Sequence, residues 1–201
     1  MKTSELLEYL ARDDKWYLGG GKALVWAPEF PKFLDRPGFW DQAYYLDHAI
    51  CPVFTFSILG EDHEELRPAF GGRVWRPDCL TQRYVVDGSI EITERKCVTP
   101  FDALTSTLTI ENRGREQREL DVIVWTAQPI GSFSGHPFYN AVTVSNPSLA
   151  DDGVIIFDHT DLNPKDMKLQ KAVAFGADRS PSSYCVVASQ HTGNLPVWRL
   201  T

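Results

Sequence analysis

The sequence predicts an all-β chain folded as an antiparallel β-sandwich, with a short N-terminal helix and a long aromatic-rich loop. Residues 104–110 alternate strictly between apolar or small side chains on one face and threonines on the other. An Asp-Gly pair at 87–88 lies between two β-branched runs, which is typical of a type I′ hairpin turn. Short strand-like runs and turn signals then recur to the C-terminus. Because no composition shift marks a boundary, one domain is expected over residues 1–201.

The N-terminal part contains the only helical pattern. Residues 4–12 place three leucines on one helical face, with Ser4 positioned to cap the first turn, so a short helix is expected. Glycines 19–21 lack the GxxxxGK(S/T) pattern and the strand-then-helix context of a phosphate-binding loop and therefore predict a flexible turn.

The β-type elements follow from residue 53 onward. Residues 53–59 form a β-branched and aromatic run that ends at a glycine, and residues 83–86 and 89–98 flank the Asp-Gly turn. Residues 104–110 are expected to pair antiparallel with residues 119–127. Further strands are expected at 139–145, 154–157, 172–175 and 184–189, with turns at 145–148 and 178–181.

Charge and targeting signals narrow the function classes. The formal net charge is −7, and no basic stripe is present that could displace counterions from phosphates or bind an anionic membrane. The sequence therefore predicts neither a nucleic-acid nor a membrane partner. The first residues lack the apolar core of a signal peptide, so a cytoplasmic protein is expected.

Cysteine and histidine spacing gives no metal or disulfide signature. The four cysteines contain no CxxC pair and are expected to be reduced and mostly buried: Cys51, Cys79, Cys97 and Cys185. The histidines show neither HxH nor HxxxH spacing, so no metal and no other cofactor is expected.

Residues 26–52 hold the strongest concentration of binding-type side chains. Aromatic rings alternate there with carboxylates and a guanidinium, in a segment rich in proline and glycine. Rings stack on the C–H faces of sugars, and charged groups hydrogen-bond their hydroxyls. A loop that seals the edge of the core with its own rings explains the same composition. The candidate sugar-facing or domain-interface residues are Trp26, Asp35, Arg36, Trp40, Asp41 and Tyr44, together with His136 from a Gly-, Ser- and Phe-rich loop at 131–139.

Catalytic groups are harder to place. A glycosidase needs two facing carboxyl groups about 5–10 Å apart, which spacing along the chain does not establish. The carboxylates available are Asp35, Asp41, Asp47, Glu61, Asp62, Glu64, Glu65, Glu91 and Glu94. Residues 60–66 form a charge-rich turn that is expected to be solvated, with His63 exposed. A mutarotase-like epimerase would use His136 or His159 as its acid, and neither has a recognisable partner.

Two stretches resemble a known family. EFPKFLDRPGFWDQAYY at 29–45 and LTSTLTIENRGREQRELDVIVWTAQP at 104–129 are similar to the N-terminal β-sandwich domain of glycoside hydrolases with an (α/α)6 barrel, in the amylo-α-1,6-glucosidase or glycogen-debranching-like group. The resemblance extends from about residue 16 to 201. It implies a supersandwich-like, non-catalytic domain that supports a helical catalytic barrel and shapes the cleft for an α-glucan-type carbohydrate. It assigns no catalytic residue to this chain.

The end of the chain agrees with that expectation. Residues 195–201 look like an extended apolar segment rather than a polar tail, which predicts that the sequence is the leading part of a longer enzyme. The alternatives are a standalone carbohydrate-binding or interaction module and, less favoured, the sugar epimerase.

Overall fold

A computed structural model describes most of the chain. The described residues are 17–22, 24–28, 31–43, 49–127, 131–132, 142–149, 154–162, 168–189 and 193–200. The predicted N-terminal helix at 4–12 lies outside them. Within the described ranges, no helix has the length and apolar character needed to cross a membrane.

The described chain consists of one 3-10 helix and fourteen strands. The 3-10 helix is Pro31–Asp35. The strands are β1 Phe39–Ala43, β2 Ala49–Leu59, β3 Glu65–Leu66, β4 Ala69–Trp75, β5 Cys79–Val86, β6 Ile90–Val98, β7 Leu104–Asn112, β8 Asp121–Trp125, β9 Gly131–Ser132, β10 Val142–Leu149, β11 Ile155–Leu162, β12 Lys168–Phe175, β13 Ser183–Ser189 and β14 Gly193–Leu200. The prediction of an all-β, antiparallel fold is confirmed.

Contacts divide the chain into two compact units. The first combines Met1–Asp41 with Ser57–Leu120, and the second combines Gln42–Phe56 with Asp121–Thr201. The prediction of a single domain stays a prediction.

The first unit is built on a four-stranded antiparallel sheet in the order β4-β5-β6-β7. Alternation along β5 and β6 buries every second side chain, so one face of this sheet is covered and the other is open. Residues 17–41 contribute Leu18, Trp26, Phe33, Leu34 and Phe39 to the buried set of this unit.

One feature of the first unit was predicted from local turn chemistry. Asp87 and Gly88 both have positive φ, at 49° and 66°, which confirms the type I′ turn between β5 and β6. Gly20 also has positive φ, and a Cβ there would lie 2.3 Å from the Val98 carbonyl oxygen, so this position requires glycine. Glu61, His63 and the neighbouring acidic residues are exposed, as expected.

The second unit contains the sandwich. The sheet with the strand order β1-β2-β8-β14-β13, to which β3 is joined through β2, lies mostly in this unit, and the sheet with the order β12-β11-β10-β9 lies entirely in it. Phe54 from β2 and Val124 from β8 pack against Ile155 and Phe157 of β11 and Phe175 of β12. The interior of this unit is therefore an apolar layer between two sheets.

Three predictions from the sequence are wrong. Residues 104–110 do not pair with residues 119–127, because β7 pairs with β6 and β8 lies between β2 and β14. Asn146 and Pro147 form no turn. They lie inside β10 and pair with Asp158 and Phe157 of β11. Proline is tolerated there because the short β9 contacts β10 only at its first two residues.

The third concerns the cysteines. Cys79 and Cys97 are only half-buried and Cys185 is exposed, whereas mostly buried thiols were expected.

Candidate functional site

The buried face of β5 and β6 carries polar side chains in its middle. Strand alternation directs Gln82 and Tyr84 of β5, and Glu94 and Lys96 of β6, to the same side as Leu80, Ile90 and Ile92. Glu94, Lys96 and Gln82 are all 0% exposed. We refer to Gln82, Tyr84, Glu94 and Lys96 as the buried cluster.

Hydrogen bonds connect the members of the buried cluster. Tyr84 Oη lies 2.8 Å from Gln82 Oε1 and 3.1 Å from Glu94 Oε2, and its hydroxyl proton can serve either acceptor. Lys96 Nζ lies 3.7 Å from Glu94 Oε2. Ser106 of β7 donates to Glu94 Oε1 over 2.6 Å. The two charges are thus paired and hydrogen-bonded, as fully buried charges must be.

The buried cluster also binds the main chain of the aromatic segment. Lys96 Nζ donates to the carbonyl oxygens of Leu34, at 3.3 Å, and Arg36, at 2.6 Å. Gln82 Nε2 donates to the same Leu34 carbonyl. The amide of Gly38 donates to Glu94 Oε1 over 2.9 Å. Residues 34–38 are therefore fixed to the sheet at three main-chain groups, independently of their own side chains.

Burial shifts the pKa values of two members of the buried cluster, Lys96 and Tyr84. Removal from water lowers the pKa of Lys96 to about 8, although Glu94 and Asp35 oppose the shift. Burial, reinforced by the charge of Glu94, raises the pKa of Tyr84 far above its ordinary value. The Lys96 ammonium also lies 5.9 Å from the ring centroids of both Trp26 and Phe39.

Asp35 and Arg36, within residues 34–38, contribute polar side chains to the surface near the Trp40 ring. The Arg36 guanidinium lies 4.7 Å from the Phe33 ring centroid and 4.8 Å from that of Trp40, while Arg36 itself is exposed. Asp35 accepts a hydrogen bond from Arg73 of β4 over 2.5 Å. Trp40 Nε1 donates to the Pro37 carbonyl over 2.8 Å. We call Asp35, Arg36, Trp40 and Arg73 the surface patch.

Three of the residues predicted from the sequence lie in this patch: Asp35, Arg36 and Trp40. Trp26 does not present its ring outward as the sugar-facing hypothesis required. It is 3% exposed, packs edge-on against Phe39 at 4.8 Å, and donates its indole N–H to the Trp40 carbonyl over 3.2 Å. Trp26 therefore belongs to the interior, where it holds the main chain of Trp40.

The remaining predicted residues fall partly or wholly outside the described part of the chain. Asp41 belongs to β1, but only its backbone is described. Tyr44, Asp47 and His136 lie outside the described residues, and His159 is described only as a backbone position in β11.

Sequence reasoning missed most of the buried cluster. Glu94 was one of nine carboxylates considered for acid–base chemistry, and Gln82, Tyr84 and Lys96 were not considered. The available signal was the alternation itself, which places all four on the apolar face of a hairpin whose turn was identified correctly. In this arrangement Glu94 is enclosed by its donors, so the cluster acts by positioning the chain.

Other groups of polar residues are more open. Gly60, Glu61, Asp62, Glu64, Glu116, Gln117 and Arg118 line a polar surface depression of about 360 Å³. In the part of the chain that the structure describes, no group of three or more histidine, cysteine, aspartate or glutamate side chains could hold a metal ion.

Comparisons with known proteins add nothing to this geometry. No family model, no curated protein and no solved structure matches the chain. The class that the fold defines is an all-β antiparallel protein with a sandwich in its second unit.

Proposed function

We propose that the chain is a non-catalytic β-sandwich-type domain of a carbohydrate-active hydrolase, and that its surface patch contacts the carbohydrate. The observation that supports this most is the way the buried cluster fixes the main chain of residues 34–38 while the Asp35 and Arg36 side chains remain at the surface. A sugar site needs such rigidity, because each hydroxyl contact is weak and ordering a mobile loop would cancel it.

The chemistry of the patch suits a neutral, hydroxyl-rich ligand. Arg36 is held by two rings, so its planar guanidinium keeps donors directed outward with little conformational freedom left to lose. Asp35, paired with Arg73 and half-exposed, supplies acceptors beside it. The negative net charge of the chain does not repel an uncharged ligand.

The finer identity of the ligand and partner rests on the sequence resemblance. It favours an α-glucan-type oligosaccharide, a helical catalytic barrel as the partner domain, and the cytoplasm as the compartment. In such an enzyme this chain would support the barrel and shape the rim of the cleft, with catalysis supplied by the barrel.

Calorimetric titration of the purified chain with maltoheptaose tests the carbohydrate contact. We expect millimolar binding that Arg36→Ala weakens about tenfold, the size of one lost charge-assisted hydrogen bond. The matched control is Arg83→Ala, since Arg83 is an exposed arginine on the open face of the same sheet.

Two outcomes contradict the proposal. One is the absence of heat or of amide shifts in an NMR titration at several millimolar sugar. The other is an equal loss of affinity in Arg36→Ala and Arg83→Ala, which would indicate a nonspecific effect of charge.

A further inference from the structure

Two cysteines far apart in the sequence face each other at the end of the β5–β6 hairpin. Cys79 begins β5, and Cys97 is the penultimate residue of β6. The strand register makes them direct cross-strand partners. The two cysteines are 18 positions apart and the sequence contains no CxxC motif, so the sequence alone does not indicate this pairing.

The backbone hydrogen bonds show which type of cross-strand pair this is. Cys79 donates its N–H to the Arg76 carbonyl and accepts from the Arg76 amide, so both of its main-chain groups point toward β4. The Cys79–Cys97 pair is therefore a non-hydrogen-bonded pair of the β5–β6 ladder. Side chains approach most closely at such pairs, with Cα atoms typically about 4.5 Å apart. That separation is within the range of disulfides, about 4.4–6.8 Å.

The surroundings leave both sulfurs open to a reagent. The neighbouring pair, Leu80 and Lys96, is buried on the covered face, so alternation directs both cysteines to the open face. Both thiols are free and half-buried. The exposed Arg95 lies on the same strand as Cys97, and its guanidinium interacts electrostatically with both sulfurs.

The surroundings shift the pKa of Cys97 in opposite directions. Partial burial raises the pKa of the Cys97 thiol, and the Arg95 guanidinium opposes that shift. Asp78 acts in the same direction as burial. Burial outweighs the cation, so the pKa of the Cys97 thiol lies above its ordinary value.

We propose that Cys79 and Cys97 form a reversible disulfide by exchange with a small-molecule disulfide such as oxidised glutathione. The thiolate of one cysteine attacks a sulfur of the glutathione disulfide, and one glutathione thiolate leaves. The second cysteine, after losing its proton to solvent, attacks the protein sulfur of the mixed disulfide and expels the second glutathione. Two protein thiols are oxidised to one disulfide, and one glutathione disulfide is reduced to two thiols.

The position of the pair connects this chemistry to the buried cluster. Cys97 follows Lys96 directly, and Lys96 holds the Leu34 and Arg36 carbonyls. A disulfide would close the hairpin at the strand end next to that lysine and restrict the unfolded chain over residues 79–97. The oxidised protein should therefore unfold at higher temperature than the reduced protein, with residues 34–38 more strongly protected from amide exchange.

Non-reducing peptide mapping after equilibration of the native chain in glutathione redox buffers tests the proposal. We expect a cross-linked peptide containing Cys79 and Cys97, a loss of two free thiols, and full reversal by excess reduced glutathione. Cys185→Ser is the matched control, since it removes an exposed thiol and should leave the cross-link unchanged.

A single variant keeps the test decisive even without the cross-link. In Cys79→Ser, Cys97 should accumulate a stable glutathione adduct, because the resolving thiol is missing. The proposal is overturned if the wild-type chain retains glutathione adducts at Cys79 or Cys97 without cross-linking. It is equally overturned if either cysteine pairs with Cys185 or Cys51 in preference to its cross-strand partner.

Discussion

The interiors of the two units are built from different chemistry. The second unit fills the space between its sheets with Ile155, Phe157 and Phe175, against Phe54 and Val124. The first unit places a lysine, a glutamate, a glutamine and a tyrosine at the centre of its covered sheet face. Apolar layers gain free energy from burial in almost any arrangement that fills the volume. The buried cluster gains it only when each donor meets its acceptor.

The difference indicates a division of roles. An apolar layer is sufficient to hold two sheets together. A charged cluster is costly to desolvate and would add little stability over apolar side chains of the same volume. What it supplies is a defined position for main-chain groups of residues 34–38, which an apolar layer would leave without hydrogen-bond partners.

Removal of the Glu94 carboxylate should have the largest effect. Glu94→Ala leaves Lys96 buried without its counter-charge and the Gly38 amide without its acceptor, so we expect a loss of about 3–5 kcal/mol in the free energy of unfolding. Glu91→Ala is the control on the same strand, because Glu91 lies on the open face, and it should change stability by less than about 0.5 kcal/mol. Urea denaturation of both variants provides the measurement, and similar losses would contradict the distinction between the two faces.

The pH dependence of stability should contain a contribution from the first unit, because Lys96 is a fully buried amine. With a pKa of about 8 when folded and 10.5 when unfolded, Lys96 holds its proton only in the unfolded chain between those values. The free energy of unfolding should therefore rise with pH through this window, by an amount on the order of 2 kcal/mol between pH 7.5 and 9.5. Above pH 10, Tyr84 acts in the opposite direction, since its raised pKa keeps the folded phenol protonated while the unfolded one ionises.

Urea titrations of the wild-type chain and of Lys96→Met at several pH values isolate this contribution. The difference between the two proteins should carry the pH dependence, because methionine does not titrate. A difference that stays constant from pH 7.5 to 9.5 would show that Lys96 is not desolvated as described.

A conservative change in the apolar layer should cost less. Ile155→Val removes one methylene group from the cluster of the second unit, for which we expect a loss of about 1 kcal/mol. The same urea experiment measures it. A loss as large as that of Glu94→Ala would show that the second unit depends on specific geometry as much as the first.

The smallest effect on stability is expected at the surface patch. Asp35→Asn weakens a partly exposed ion pair with Arg73, so the loss should stay below about 1 kcal/mol and shrink further in 0.5 M salt. A larger, salt-independent loss would place Asp35 in the structural network with Glu94 rather than at the surface.

The sequence predicted those features whose determinants are local. The Asp87-Gly88 turn and the alternating strand at 104–110 depend on adjacent residues, and both are present. The pairing of residues 104–110 with 119–127 assumed that consecutive strands are neighbours, which holds for most but not all strands. The chain does turn locally after β7, where the Gly114 amide donates to Asn112 Oδ1 over 2.8 Å, but β8 joins the other sheet.

The candidate site shows the same limit. Asp35, Arg36 and Trp40 were found because they lie within a few residues of one another. The side chains that position them were missed because Gly38, Leu34 and Arg36 are 56, 62 and 60 residues from Glu94 and Lys96, respectively. No spacing rule connects a buried lysine with a carbonyl oxygen so far away in the chain.

The buried charges of β6 have a consequence for how the hairpin chooses its pairing as it forms. A slip of one residue between β5 and β6 would reverse the faces of one strand relative to the other. Arg95 and Thr93 would then enter the interior, while Glu94 and Lys96 would point to solvent. Arg95 would then be buried opposite Leu80 or Gln82, neither of which can neutralise its charge, so the slipped hairpin is strongly disfavoured. A strand carrying only leucine and isoleucine on its covered face would discriminate less between the two registers. Glu94 and Lys96 therefore favour the observed register of β5 and β6.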